Sequence, residues 1–139
     1  MKEFPKTFKY GRVFRVKLKK NDKSKNFLNV TFYEHGLKIL ENGKLTIKHL
    51  NSINKLLKKL YKKTASIRFN VSMVTPVTKK PLETRMGKGK AERNHWECPL
   101  KKGCIILEVG NLNNDQLNYA LSLVSERLPV LTKIVRLVY

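Results

Sequence analysis

Apolar positions follow two rhythms along this chain. Between residues 46 and 61, Ile47, Leu50, Ile53, Leu57 and Leu60 recur every three to four places. That spacing makes one face of a helix apolar, and Thr46 stands where an N-cap is wanted. Leu117, Ala120, Leu121, Val124 and Leu128 repeat the rhythm behind Asn113 or Asn114 as cap. Pro129 is expected to end this second helix, because the residue before a proline disfavours helical backbone. Elsewhere the period is two. It predicts strands over Val13–Leu18, Phe27–Tyr33, Gly36–Leu40, Ile67–Val74, Cys104–Val109 and Leu131–Val138. Glu41-Asn42-Gly43-Lys44 is a turn, with Asn-Gly as its signature. Residues 75–95 hold Pro76, Pro81, Gly87 and Gly89, and they are expected to form one long extended loop. Strands interspersed with two helices, with hairpin signals and no internal repeat, predict one α+β domain. It covers residues 27–139, behind an arm of residues 1–26.

Charge sharpens this picture. The 139 residues are 41% hydrophobic, enough for a core, yet 30 Lys and Arg face 10 Asp and Glu, a net charge of +20. Self-repulsion at this density is costly unless a polyanion neutralises it. Nucleic-acid phosphate is the commonest such partner, with counterion release driving the binding. An anionic membrane surface is the rival. Residues 1–96 carry 25 basic against 6 acidic side chains, net +19, whereas residues 97–139 carry 5 against 4, net +1. One part of the chain therefore reads as polyanion-facing and the other as packing. No apolar run is long enough to span a bilayer. Two cysteines, Cys98 and Cys104, favour a reducing compartment over a disulfide framework.

The cations gather on an arm and a loop. In residues 1–26, Lys6, Lys9, Arg12, Arg15, Lys17, Lys19, Lys20, Lys23 and Lys25 are interleaved with Phe4, Phe8, Tyr10 and Phe14. Such arms order on RNA, and an amphipathic targeting segment is the alternative. In the loop, Lys79, Lys80, Lys88 and Lys90 supply point charges, and Arg85 can fork onto phosphate or stack on a base. Gly87 and Gly89 let backbone approach phosphate. A P-loop is excluded, because Ala91 follows Lys90 where Ser or Thr would be needed after the lysine of the motif. Lys48, Lys55, Lys58, Lys59, Lys62 and Lys63 lie off the apolar face of the first helix or beyond its end. A solvated face and an RNA contact explain them equally well.

His95-Trp96-Glu97 followed by Cys98 and Cys104 echoes half of a zinc-deaminase motif, but the P-C-x-x-C partner is missing. His95, Cys98 and Cys104, with His35 or His49, are a rival set of zinc ligands at unfavourable spacing. No catalytic Ser-His-Asp or Cys-His arrangement is readable.

One segment carries a family resemblance. Val77-Thr78-Lys79-Lys80-Pro81-Leu82-Glu83, then Arg85-Met86-Gly87-Lys88-Gly89-Lys90 and, four residues after Ala91, Trp96, resembles the signature of the uL16 ribosomal protein family. That family carries Arg-Met-Gly-x-Gly-Lys-Gly, four residues and an aromatic. Ala91 stands where that family has its last glycine. Lys63-Thr64-Ala65-Ser66-Ile67-Arg68-Phe69-Asn70 is similar in part to a second signature, with Arg68 where the family tends to have tryptophan. Pro5-Lys6-Thr7, Gly36-Leu37-Lys38, Leu45-Thr46 and Leu128-Pro129-Val130 look like its landmarks in order.

The resemblance implies two helices packed on a mixed, largely antiparallel sheet, in a hammerhead-like α+β fold. It implies a structural, non-enzymatic part of the large ribosomal subunit that binds its rRNA beside the aminoacyl-tRNA site. There the arm and loop reach toward the peptidyl transferase centre and help position the tRNA acceptor arm. The positions that would carry rRNA or tRNA contact are Lys6, Lys9, Arg12, Lys79, Lys80, Arg85, Met86, Gly87, Lys88, Gly89 and Lys90. Neighbouring large-subunit proteins are expected partners, while a cofactor, a metal and a homo-oligomer are not expected. The 23 Lys against 7 Arg, with 12 Asn, fit AT-rich codons. The expected ribosome is mitochondrial, with a plastid or the bacterial cytoplasm as alternatives.

Overall fold

In a computed structural model, residues 13–14, 17–25 and 28–137 are described. The first apolar stripe forms helix α1, Ile47–Tyr61, and buries Leu50, Ile53 and Leu57. The backbone N–H of Thr46 donates to His49 Nδ1 at 3.2 Å. An imidazole thus fills the role that Glu or Gln usually takes three residues into a helix. The second stripe forms α2, Asn114–Ser125, which buries Leu117, Ala120, Leu121 and Val124. It ends at Ser125, earlier than expected from Pro129. The Arg127 and Leu128 N–H groups instead close turns onto Val124 and Ser125.

Among the described residues there are seven strands: β1 His35–Ile39, β2 Gly43–Thr46, β3 Ser66–Phe69, β4 Thr75–Thr78, β5 Arg93–Leu100, β6 Ile105–Gly110 and β7 Thr132–Arg136. They form two antiparallel sheets, in the orders β3-β6-β1-β7 and β2-β5-β4. The expected α+β architecture is present, with the sheet divided in two. The one parallel pairing among the described residues is an isolated bridge between Lys23 and Lys102. Strand β6 is buried at every position, since it lies inside its sheet. Its Leu107 and Val109 join Leu37, Leu45, Ile53, Leu57, Leu121 and Val124 in one core.

Two strand expectations are corrected, and a third falls partly outside the described residues. Residues 28–33 form no strand. The N–H groups of Thr31, Phe32 and Tyr33 instead converge on Glu108 Oε2 at 3.3, 2.8 and 3.2 Å. A strand aims successive N–H groups to opposite sides, so three aimed at one oxygen require a concave backbone. The expected strand from Ile67 stops at Phe69; Asn70 still donates its N–H to the Ile106 carbonyl at 2.9 Å, and its side chain donates to Glu108 Oε1 at 2.6 Å. The chain then crosses to the other sheet as β4. The described part of Val13–Leu18 holds no strand, and residues 15–16 lie outside the described set.

Candidate nucleic-acid interface

The loop expected over residues 75–95 is a hairpin. Strands β4 and β5 pair Thr75 with Glu97, Pro76 with Trp96 and Val77 with His95. Its base is anchored by buried Thr75, Trp96 and Glu97. The Lys79 N–H meets the Glu92 carbonyl at 3.4 Å. Beyond that contact the chain leaves the sheet, and every residue from 81 to 90 is exposed.

Backbone shape at the tip comes from left-handed residues. Gly87, Lys88 and Gly89 have φ of 93°, 55° and 73°. Two glycines take this shape freely, while Lys88 bears a strain of about 1 kcal/mol. No atom lies within 4 Å of a Cβ built on Gly87 or Gly89. The glycines therefore set conformation and leave open space rather than fit an internal neighbour. The Lys80 ammonium donates to the Gly87 carbonyl and ties the limbs together. Between the limbs lies an open concavity of about 790 Å³, lined by Lys79, Lys80, Lys88, Lys90 and Arg93 among others. Arg85 and Met86 stand at the exposed tip.

Lys90 points elsewhere. Its ammonium donates to the Val13 carbonyl at 2.6 Å and lies 5.2 Å from the centroid of the exposed Phe14 ring. The hairpin thus meets the arm. Farther along, Asn42 Nδ2 donates to the Lys19 carbonyl at 2.6 Å and the Ser24 N–H to the Lys102 carbonyl at 2.9 Å. Lys6, Lys9 and Arg12 lie outside the described residues.

Two cations are not singled out by sequence pattern. Arg93 lies on the concavity with its guanidinium 5.0 Å from the Trp96 ring centroid. Arg68 stacks 3.5 Å above Phe32. An arginine three places before a strand tryptophan is a readable hint for Arg93. Phe32 and Arg68 are joined only by folding.

The zinc reading finds no assembled site. Among the described residues, no group of three His, Cys, Asp or Glu side chains is placed to hold a metal. His49 caps α1. His95 belongs to β5 rather than to a loop, and its Nε2 is 3.2 Å from Glu97 Oε1. Burial pushes the Cys98 thiol up to about 11, against a smaller lowering by a hydrogen bond to the Ser72 backbone. Burial raises Cys104 as well, opposed by the Ser24 side chain. Both thiols are therefore held protonated at neutral pH, which suits packing and not nucleophilic work. No helix among the described residues is long and apolar enough to cross a membrane.

Fold and site define a small α+β protein that carries an open, exposed cationic hairpin. The profile of the family described as ribosomal protein L16p/L10e matches residues 5–135. The chain is 36% identical over 132 residues to the large ribosomal subunit protein uL16 of Staphylococcus carnosus (strain TM300), covering 95% of this chain and 90% of that one. It is 35% identical over 130 residues to the large ribosomal subunit protein uL16c of Euglena longa, covering 94% and 95%. It is 32% identical over 123 residues to a uL16 protein of Buchnera aphidicola, covering 85% and 90%. The chain belongs to the L16p/L10e family of ribosomal proteins. It is a structural, non-enzymatic constituent of the large ribosomal subunit.

Proposed function

We propose that the β4–β5 hairpin and the N-terminal arm bind large-subunit rRNA beside the aminoacyl-tRNA site and help position the tRNA acceptor arm. The observation that carries this reading is the exposed run 81–90, where Arg85, Lys88 and Lys90 flank two glycines with open space around them. Lysine ammonium groups neutralise phosphate, and Arg85 adds a planar fork. Such contacts position a protein on folded RNA and carry little sequence information. Lys6, Lys9 and Arg12 extend the same cationic track in sequence. Chemistry at the peptidyl transferase centre then belongs to RNA.

The test is Arg85→Ala in assembled large subunits. Slower tRNA accommodation is expected, by roughly 10- to 150-fold when a charge-assisted hydrogen bond of about 1.5–3 kcal/mol is removed. The thermal midpoint of the free protein should be unchanged. A variant that lost only fold stability, with normal accommodation, would refute the placement.

The lysine-rich and asparagine-rich composition fits an AT-rich genome, organellar or bacterial, and the mitochondrial matrix is the proposed compartment. Recovery of this chain from purified mitochondrial ribosomes tests that assignment, and recovery from plastid or bacterial ribosomes instead refutes it.

A further inference from the structure

Between Glu41 and Glu83 the chain has no acidic residue, yet it carries ten Lys and Arg. Helix α1 lies wholly inside that stretch. At 3.6 residues per turn, Lys48, Lys55 and Lys59 fall on nearly one line along the axis, with Lys58 beside it and Lys62 just past the helix end. The helical lysines run along roughly 16 Å of helix, opposite the buried Leu50, Ile53 and Leu57.

A merely solvated helix would intersperse Glu four places before Lys. Here the pairs Lys55/Lys58 and Lys55/Lys59 set like charges one turn apart, costing about 0.2–0.5 kcal/mol each. The helix dipole favours Lys58 and Lys59 in the last turn but opposes Lys48 in the first. Helix stability therefore does not explain the stripe.

The stripe opens into a groove. Lys58, Lys62 and Asn54 of the α1 side face Ile67, Arg68 and Phe69 of β3 across a concavity of about 440 Å³. Strand β3 is the outer strand of its sheet. Arg68 is held flat on Phe32 at 3.5 Å, which leaves its N–H edge available. Its register partner Glu108 does not neutralise the groove. That carboxylate is buried and accepts bonds from Thr31, Phe32, Tyr33 and Asn70.

We infer that the α1–β3 groove is a second RNA-binding surface, which grips the phosphate backbone of an rRNA segment other than the one met by the hairpin. The hairpin springs from the β2-β5-β4 sheet and the groove borders the other sheet, so the protein clamps two RNA segments. This inference rests on the proposed rRNA binding of the chain, but it uses different residues.

The test rebinds the full chain to large-subunit particles stripped of it, with hydroxyl-radical footprinting of the rRNA. The groove variant is Lys58→Gln/Lys62→Gln/Arg68→Gln, and the hairpin variant is Lys79→Gln/Lys80→Gln/Arg85→Gln/Lys88→Gln. Should the groove variant fold poorly by circular dichroism, Lys58→Gln/Lys62→Gln, two exposed lysines that line the groove, replaces it. The groove variant should bind at least about tenfold more weakly, with a salt slope shallower by about 1 for each phosphate it no longer neutralises. It should also lose one set of rRNA protections that the hairpin variant keeps. Unchanged affinity overturns the inference. So does weakened binding with every rRNA protection intact, which would place a protein on this face. A hairpin variant that loses no protections refutes the hairpin reading alone and leaves the groove standing.

Discussion

Lys90 joins two parts of the chain 77 residues apart, its ammonium 2.6 Å from the carbonyl oxygen of Val13. The Phe14 ring, 94% exposed, lies beside the same ammonium and covers none of the core. This pairing makes the arm and the hairpin one surface before any RNA arrives. Lys90→Ala should free the arm. Amide exchange at residues 13–14 is expected to accelerate, while the melting curve shifts by no more than about 0.5 kcal/mol, as for an exposed substitution. Unchanged exchange would mean that the contact orders nothing.

Glu108 carries more stability than its charge suggests. It is fully buried and its carboxylate accepts from three consecutive backbone N–H groups and from Asn70. Glu108→Ala strips those part-buried donors of their acceptor, each costing about 1–3 kcal/mol where water does not reach it. A loss of about 3–5 kcal/mol in urea unfolding is expected, larger than for Asn70→Ala, which removes one donor. Similar losses for the two variants would show that the residue 31–33 backbone finds other acceptors.

This carboxylate also marks where sequence pattern stops informing. Period 3.6 exposed both helices, since Leu50, Ile53 and Leu57 lie within one segment and need no knowledge of partners. The hairpin's cations were legible for the same reason. Strand β5 was not, because Pro99 breaks its rhythm. Pro99 is tolerated because β4 pairs only with residues 93–97, leaving β2 to pair with residues 97–100. Residues 28–33 alternate as a strand should, but the oxygen that bends them is supplied more than seventy residues later. Local pattern cannot contain that acceptor.

His35 gives the protein a pH dependence of known sign. It is 2% exposed, and neither ring nitrogen has a partner among the described residues. Burial lowers its pKa, and Arg136 lowers it further against a smaller opposing effect of Glu34. The folded state thus binds this proton less readily than the unfolded state, whose histidine titrates near the usual 6.5. The stabilisation is complete above about 6.5 and declines as pH falls from there through the lowered folded value. His35→Phe should remove this component. Urea midpoints between about pH 8 and 5 are expected to fall further for the native chain than for the variant. Parallel curves would show that His35 is solvated or partnered in solution.

Two glycines separate packing from function. A Cβ on Gly43 would collide with the Val130 side chain, whereas one on Gly87 would meet nothing within 4 Å. Gly43→Ala therefore overpacks a tight contact between β2 and the segment after α2, and should cost about 1–3 kcal/mol. Gly87 has a φ of 93°, which an L side chain adopts only with strain. Its neighbours are free to relax because the tip is exposed, so Gly87→Ala should reshape the turn at a cost near about 1 kcal/mol. The effects should split between two assays. Gly43→Ala lowers the melting temperature of the free protein, and what folds still enters subunits. Gly87→Ala melts nearly as the native chain does but rebinds stripped subunits less tightly, because the displaced backbone no longer lets Arg85 and Lys88 reach phosphate together. Native affinity in the Gly87→Ala protein would show that the tip's left-handed geometry is not required for binding.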